Sequence, residues 1–117
     1  MGNPVVHFEV RSKDPDASRA FYGPLFGWEF PPGGIDGYTY IETGVEGALP
    51  GGMSPTQGGE PLVTFFVGVE DVDAALQQAV SLGGSVLQPA TSVPGVTFGL
   101  LADPHGQIVG LAAVDQA

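Results

Sequence analysis

Val5-Val6-His7-Phe8-Glu9-Val10 alternates apolar and polar side chains, and 57 residues later the chain returns to a related run, Val63-Thr64-Phe65-Phe66-Val67. Side chains alternate across a strand, so Val6, Phe8 and Val10 share one face while His7 and Glu9 share the other. In the second run Val63, Phe65 and Val67 take the apolar face, opposite Thr64 and Phe66. The apolar faces read as core. The opposite faces look into whatever the sheet curls around.

The same offset holds beyond the strands. Asp14, Asp16 and Ala17 meet Asp71, Asp73 and Ala74, and Leu25, Gly27 and Pro32 meet Leu82, Gly84 and Pro89. These identities fall where geometry demands a residue type, which points to two copies of one supersecondary unit. In the first copy Asp14 reads as a helix N-cap, with Pro15 at the first helical position and Asp16 at the positive end of the dipole. Ala17, Ala20, Phe21, Leu25 and Phe26 form the expected apolar stripe, and Gly23-Pro24 predicts a kink, or a re-formed short turn, before Gly27. In the second copy Asp71 caps, Val72, Leu76, Ala79 and Val80 form the stripe, and Gly83-Gly84 closes the helix.

Short strands follow each helix: Trp28 to Phe30, Gly37 to Glu42 and Ala48 to Met53 in the first half, then Ser85 to Gln88, Gly95 to Leu101 and Gln107 to Ala112 in the second. The turn Asp103-Pro104-His105-Gly106 precedes the last strand, and His105 reads as a turn residue. Each half is thus β-α-β-β-β, and the fold class is α+β. The 117 residues form a single domain, with module 1 over about residues 4–53, a mobile linker over about 54–61 and module 2 over about 62–114.

Hydrophobic content is 43%, that of a globular protein, and no apolar run approaches the roughly 20 residues that span a bilayer. No secretory signal is visible at the N-terminus, so a cytoplasmic location and no membrane partner are expected. The absence of cysteine removes disulfides, thiolate nucleophiles and cysteine-ligated metals. Net charge is −10, and the three cations, Arg11, Lys13 and Arg19, all lie near the N-terminus. Nucleic acid, which needs clustered cations, is excluded as a partner. The acid excess serves solubility, or steers cationic ligands.

The strand carrying His7, the aromatic pair in Ala20-Phe21-Tyr22, Phe26-Gly27-Trp28, the second-module run Val69-Glu70-Asp71-Val72-Asp73-Ala74 and the turn Asp103-Pro104-His105-Gly106 together resemble the vicinal oxygen chelate superfamily. That group takes in glyoxalase I, bleomycin-resistance proteins and extradiol dioxygenases, and His7-Phe8-Glu9-Val10 with Phe26 to Phe30 is most similar to its lactoylglutathione-lyase-related members. The resemblance implies that the two modules form an incomplete barrel around one cleft. It also implies metal ligands on the first and last strand of each module. Those positions fall on His7, on Gly51 or Gly52, on Thr64 and on Gly110. Imidazole is the only metal donor among them, and a divalent catalytic site needs about three protein ligands. No cofactor is therefore predicted. A divalent metal would need a substitute set drawn from His7, Glu9 and Glu42.

His7 has three readings: metal ligand, general base or hydrogen-bonding contact to a ligand, and plain structural histidine. Glu9 is a carboxylate among Val and Phe and must find water, a cation or a hydrogen bond. His7 and Glu9 are the candidate catalytic pair, and Thr64, Phe66 and Gly110 the candidate ligand contacts. Tyr38, Tyr40 and Glu42 share a strand face that the sequence does not assign. The expectation is a small-molecule-binding protein without the usual metal centre, catalysing, if anything, a lyase or isomerase step on a small carbonyl or aromatic compound. The alternatives are a drug-sequestering protein and a metal-dependent lyase or dioxygenase with substitute ligands. A homodimer is expected, as the resemblance implies.

Overall fold

The computed structural model describes residues 2–33, 37–56 and 58–114. They form a mixed α+β fold of seven strands and two helices: β1 (Val5–Ser12), α1 (Pro15–Phe26), β2 (Thr39–Ile41), β3 (Gly51–Pro55), β4 (Leu62–Gly68), α2 (Val72–Ser81), β5 (Ser85–Val93), β6 (Val96–Ala102) and β7 (Ile108–Val114). The chain divides into two compact units, His7–Val63 and a second made of Thr64 onward with the residues before His7.

In the first unit the strands lie in the order β2-β3-β1. β3 runs parallel to β1 and antiparallel to β2, which aligns Tyr40, Gly52 and Glu9 in one cross-strand row and Ile41, Gly51 and Phe8 in the next. Alternation then sorts the faces. Val10, Ile41 and Met53 are buried, and Phe8, Tyr22, Trp28 and Phe30 pack on them. Trp28 is the hub of this layer, its ring centroid 5.8 Å from Phe8, 5.6 Å from Tyr22 and 5.1 Å from Phe26.

Three expectations need correction here. No separate short turn forms after Gly23-Pro24: α1 is continuous through Phe26 and ends on Gly27, whose left-handed backbone donates its N–H to the Gly23 carbonyl at 2.7 Å. Pro24 lies in the last turn, where its missing N–H forfeits one helical bond and little else. The apolar stripe does not face the core either. Phe21, Leu25 and Phe26 are exposed, and Tyr22 makes the helix's core contact. The strand expected over Trp28 to Phe30 is reduced to isolated bridges, Glu29 with Glu42 and Pro32 with Thr39, because Pro31 and Pro32 have no N–H to donate to a ladder. At its far end β3 continues through Ser54 and Pro55, and Thr56 donates its N–H to the Ser12 carbonyl at 3.1 Å.

In the second unit the order is β4-β7-β6-β5, with β4 and β7 parallel and the other pairs antiparallel. The last strand is again parallel to the first, and Phe66 pairs with Gly110 as Glu9 pairs with Gly52. α2 buries Val72 and Leu76 against Leu111. It sits close because β6 carries Gly99 there, where an added Cβ would lie 3.0 Å from Leu76 and 3.1 Å from Val72. β5 is longer than expected and irregular, with register shifts on either side of Gln88. An outer strand tolerates the Pro89 within it.

The repeat extends to the helix caps. Asp14 accepts the Ala17 N–H at 3.2 Å and Asp71 accepts the Ala74 N–H at 3.0 Å. In the turn before β7, Asp103 accepts backbone N–H groups from His105 at 2.8 Å and Gln107 at 3.0 Å. Those two bonds, Gln107 first, hold its carboxyl below the usual carboxylate range. His105 is exposed and enters this turn through its backbone.

Candidate functional site

Period two along β1 carries His7, Glu9 and Arg11 to the face opposite Phe8 and Val10. Glu9 is 5% exposed, and a buried carboxylate is retained only where donors or cations compensate its lost hydration. The neighbouring strands supply them. Tyr38, just ahead of β2, donates its hydroxyl to Glu9 Oε1 at 3.2 Å, and Ser54 on β3 donates to Oε2 at 3.3 Å. Arg11 Nε stands 4.0 Å from Oε2.

Tyr38 Oη also lies 3.0 Å from His7 Nε2, and His7 Nε2 is 3.5 Å from Glu9 Oε1. A phenol has one proton. With that proton given to Glu9, the His7–Tyr38 bond requires His7 to carry a proton on Nε2 and donate it. Burial, and then the charge and hydrogen bond of Glu9, push the Tyr38 hydroxyl well above the ordinary tyrosine range, so it stays protonated at neutral pH. The result is one hydrogen-bonded line, His7 to Tyr38 to Glu9, able to hold or relay a proton.

Tyr38 and Ser54 escaped the reading of the sequence. Alternation puts Tyr38 with Tyr40 on a face that the sequence does not assign. The register settles it, since Tyr40 shares a row with Gly52 and Glu9 and the two tyrosine rings meet edge to face at 5.7 Å. Arg11 was legible, because the alternation that pairs His7 with Glu9 continues to it. Glu42 does not join this cluster as a metal donor: it is exposed, its backbone pairs with Glu29, and among the described residues no three His, Cys, Asp or Glu side chains form a group able to hold a metal ion.

In the second unit Thr64 and Phe66 are both buried on one face of β4. Thr64 Oγ1 donates to the Ile108 carbonyl at 2.6 Å. Phe66, 7% exposed, lays its ring across Gly110, where an added Cβ would come within 2.6 Å of it. A depression of the first unit, about 520 Å³ and lined by Arg11, Ser12, Ala17, Phe21, Tyr22 and Leu62 among others, follows α1. It involves none of His7, Glu9 and Tyr38.

A family model described as a glyoxalase-like domain matches residues 7–111. The chain belongs to the glyoxalase-like family. It is 30% identical over 113 residues to the protein named "Putative glyoxylase CFP32" of Mycobacterium bovis, an alignment that covers 88% of this chain and 42% of that protein. The chain thus spans less than half the length of the curated relatives it matches. Its fold is similar to that of methylmalonyl-CoA epimerase from Mycobacterium tuberculosis, with a TM-score of 0.67, 15% identity and coverage of 96% of this chain and 88% of that one. It is also similar to a glyoxalase/bleomycin resistance protein/dioxygenase superfamily member from Vibrio splendidus, with a TM-score of 0.63, 16% identity and coverage of 96% and 99%. Fold and family together place the glyoxalase-like chain in the vicinal oxygen chelate superfamily.

Metal-dependent members of that superfamily draw ligands from the first and last strand of each module, and the residues of this glyoxalase-like chain do not fit that group. The pairing of β1 with β3 resolves the earlier choice in favour of Gly52, opposite Glu9, just as Gly110 lies opposite Phe66. Neither glycine has a donor. The space over Gly52 is taken, since an added Cβ would lie 1.6 Å from Tyr38 Oη and 3.0 Å from His7 Nε2. Thr64 has its proton on a backbone carbonyl, and both Glu9 oxygens accept hydrogen bonds from hydroxyls.

Proposed function

We propose that the chain is a small-molecule-binding member of the glyoxalase-like family that moves a proton on a small carbonyl or aromatic compound, as a lyase or isomerase, through His7, Tyr38 and Glu9. One observation carries this reading: the Tyr38 hydroxyl bridges His7 Nε2 at 3.0 Å and Glu9 Oε1 at 3.2 Å. A positioned imidazole backed by a hydrogen-bonded carboxylate is the arrangement general acid–base catalysis uses. In this reading His7 faces the reacting atom, Tyr38 fixes its ring and Glu9 offsets the positive charge that develops when His7 takes a second proton. Phe66, with Thr64 and Gly110, is proposed to contact ligand in the second unit.

The test is exchange of deuterium from D₂O into a panel of small aldehydes and ketones, before and after dialysis against a chelator. Exchange is expected to survive dialysis and to fall about 10²-fold or more in His7→Gln. Stoichiometric metal that survives purification and leaves together with activity in His7→Ala would overturn the reading in favour of a metal-dependent lyase or dioxygenase. Recovery of every bound compound unlabelled would favour the sequestering alternative.

A cytoplasmic homodimer completes the proposal. No described helix is long and apolar enough to cross a membrane. The exposed side chains of Phe21, Leu25 and Phe26 on α1 offer a second copy an apolar face. A monomeric mass by light scattering at micromolar concentration would remove the dimer.

A further inference from the structure

Arg11 poses a problem that its own unit does not solve. Its guanidinium is cationic, its side chain is only 26% exposed, and its Nε is buried without a hydrogen-bond partner. The nearest carboxylate oxygen, Glu9 Oε2, lies 4.0 Å away, beyond hydrogen-bonding distance. Glu9 is not free to swing closer, because Tyr38 holds Oε1 and Ser54 holds Oε2. The two other cations have acidic neighbours of their own, Lys13 with Glu60 at 3.8 Å and Arg19 with Asp16. Arg11 therefore carries a positive charge, with its Nε–H buried and unmet behind the rest of the guanidinium, on the strand face of His7, in a chain whose net charge is −10.

We propose that Arg11 is the anion-recognition residue of the site and that the ligand is a small monocarboxylate, its carboxylate on the Arg11 fork and its reacting carbon at His7. The planar fork matches a carboxylate in two parallel hydrogen bonds. A single negative charge is the most this position tolerates, because Glu9 already contributes one beside it. Span sets the size. His7 and Arg11 lie on either side of one carboxylate group, 3.5 and 4.0 Å from its two oxygens, so a ligand of a few carbon atoms reaches both. This assignment of ligand class rests on the proton-transfer reading of His7, Tyr38 and Glu9.

Binding is read independently of chemistry by NMR of the arginine Nε–H groups. The chain has two arginines, so Arg19→Lys assigns the Arg11 signal at once. Propionate is expected to shift that signal saturably, while propanamide, its uncharged isostere, and sodium chloride at equal ionic strength leave it in place. Arg11→Lys, which keeps the charge and loses the fork, is expected to weaken propionate binding about 10- to 100-fold, followed through the backbone amides of Ser54 and Glu9. No saturable shift, an equal shift with chloride, or inorganic phosphate binding as tightly as propionate would each overturn the proposal. The titration needs no turnover. A propionate shift retained in a His7→Gln protein that shows no proton exchange in either form would sink the proton-transfer reading and leave Arg11 standing, whereas exchange without a propionate shift would do the reverse.

Discussion

The Tyr38 hydroxyl stands where a side chain on Gly52 would have to begin, 1.6 Å from the position of a Cβ there. A last-strand donor and this tyrosine are mutually exclusive. Glycine at 52 is what lets Tyr38 cross the row to reach Glu9 and His7.

Gly52→Ala is therefore expected to expel Tyr38 from the network. The ring is rigid, and overpacking of this kind destabilises by about 1–3 kcal/mol, to which the loss of the Tyr38 donor from buried Glu9 Oε1 adds about 1–3 kcal/mol more. Urea unfolding measures the total. Unchanged stability would mean that the tyrosine has room to move aside and that the network is not tightly built.

Alkaline pH offers a second probe of the same hydroxyl. Burial, then the charge and hydrogen bond of Glu9, raise the Tyr38 pKa in the folded state above its unfolded value of about 10. A group whose folded pKa is raised contributes stability that is fully present below the unfolded pKa and is lost as pH rises beyond it. Folding stability should thus begin to fall above about pH 10. One of the three tyrosines should resist ionisation, followed by phenolate absorbance, until the protein unfolds. Tyr38→Phe should remove that delayed step. Three tyrosines ionising together in the folded protein would contradict the burial of Tyr38.

How much of this was legible in the sequence depends on whether the relevant geometry is local. Alternation along one strand is local, and it placed His7 with Glu9, and Thr64 with Phe66, on shared faces. The caps Asp14 and Asp71 are local too. Tyr38 and Ser54 were not legible, because their partnership with Glu9 depends on the register of β3 against β1 and β2, and short strands with a Gly-Gly pair leave register loosely specified. The separate short turn expected after Pro24 as one outcome did not form, for a different reason. Proline forfeits one N–H bond to the turn before it, but α1 ends two residues after Pro24, so the loss stays within the final turn.

The duplicated caps predict paired effects. Asp14→Ala and Asp71→Ala each remove one side-chain bond to an N3 amide, a loss of about 1 kcal/mol for a typical N-cap. The two helices belong to different compact units, so the double variant should lose the sum within about 0.5 kcal/mol. Stability curves for the three proteins check it. Coupling well beyond that range would show that the caps share partners.

Gly110 and Phe66 make the last test, in the second unit. A methyl group on Gly110 would meet three ring carbons of Phe66 at 2.6 to 2.7 Å, closer than any stable contact, and the ring is buried. Gly110→Ala should destabilise by about 1–3 kcal/mol, and Phe66→Ala by about 3–5 kcal/mol through the cavity it leaves. The added methyl occupies part of that cavity, so the double variant should be less destabilised than the sum of the singles, with a coupling of about 0.5–3 kcal/mol. Additive losses, measured by urea unfolding of all four proteins, would mean that the Phe66 ring does not lie across Gly110 in solution.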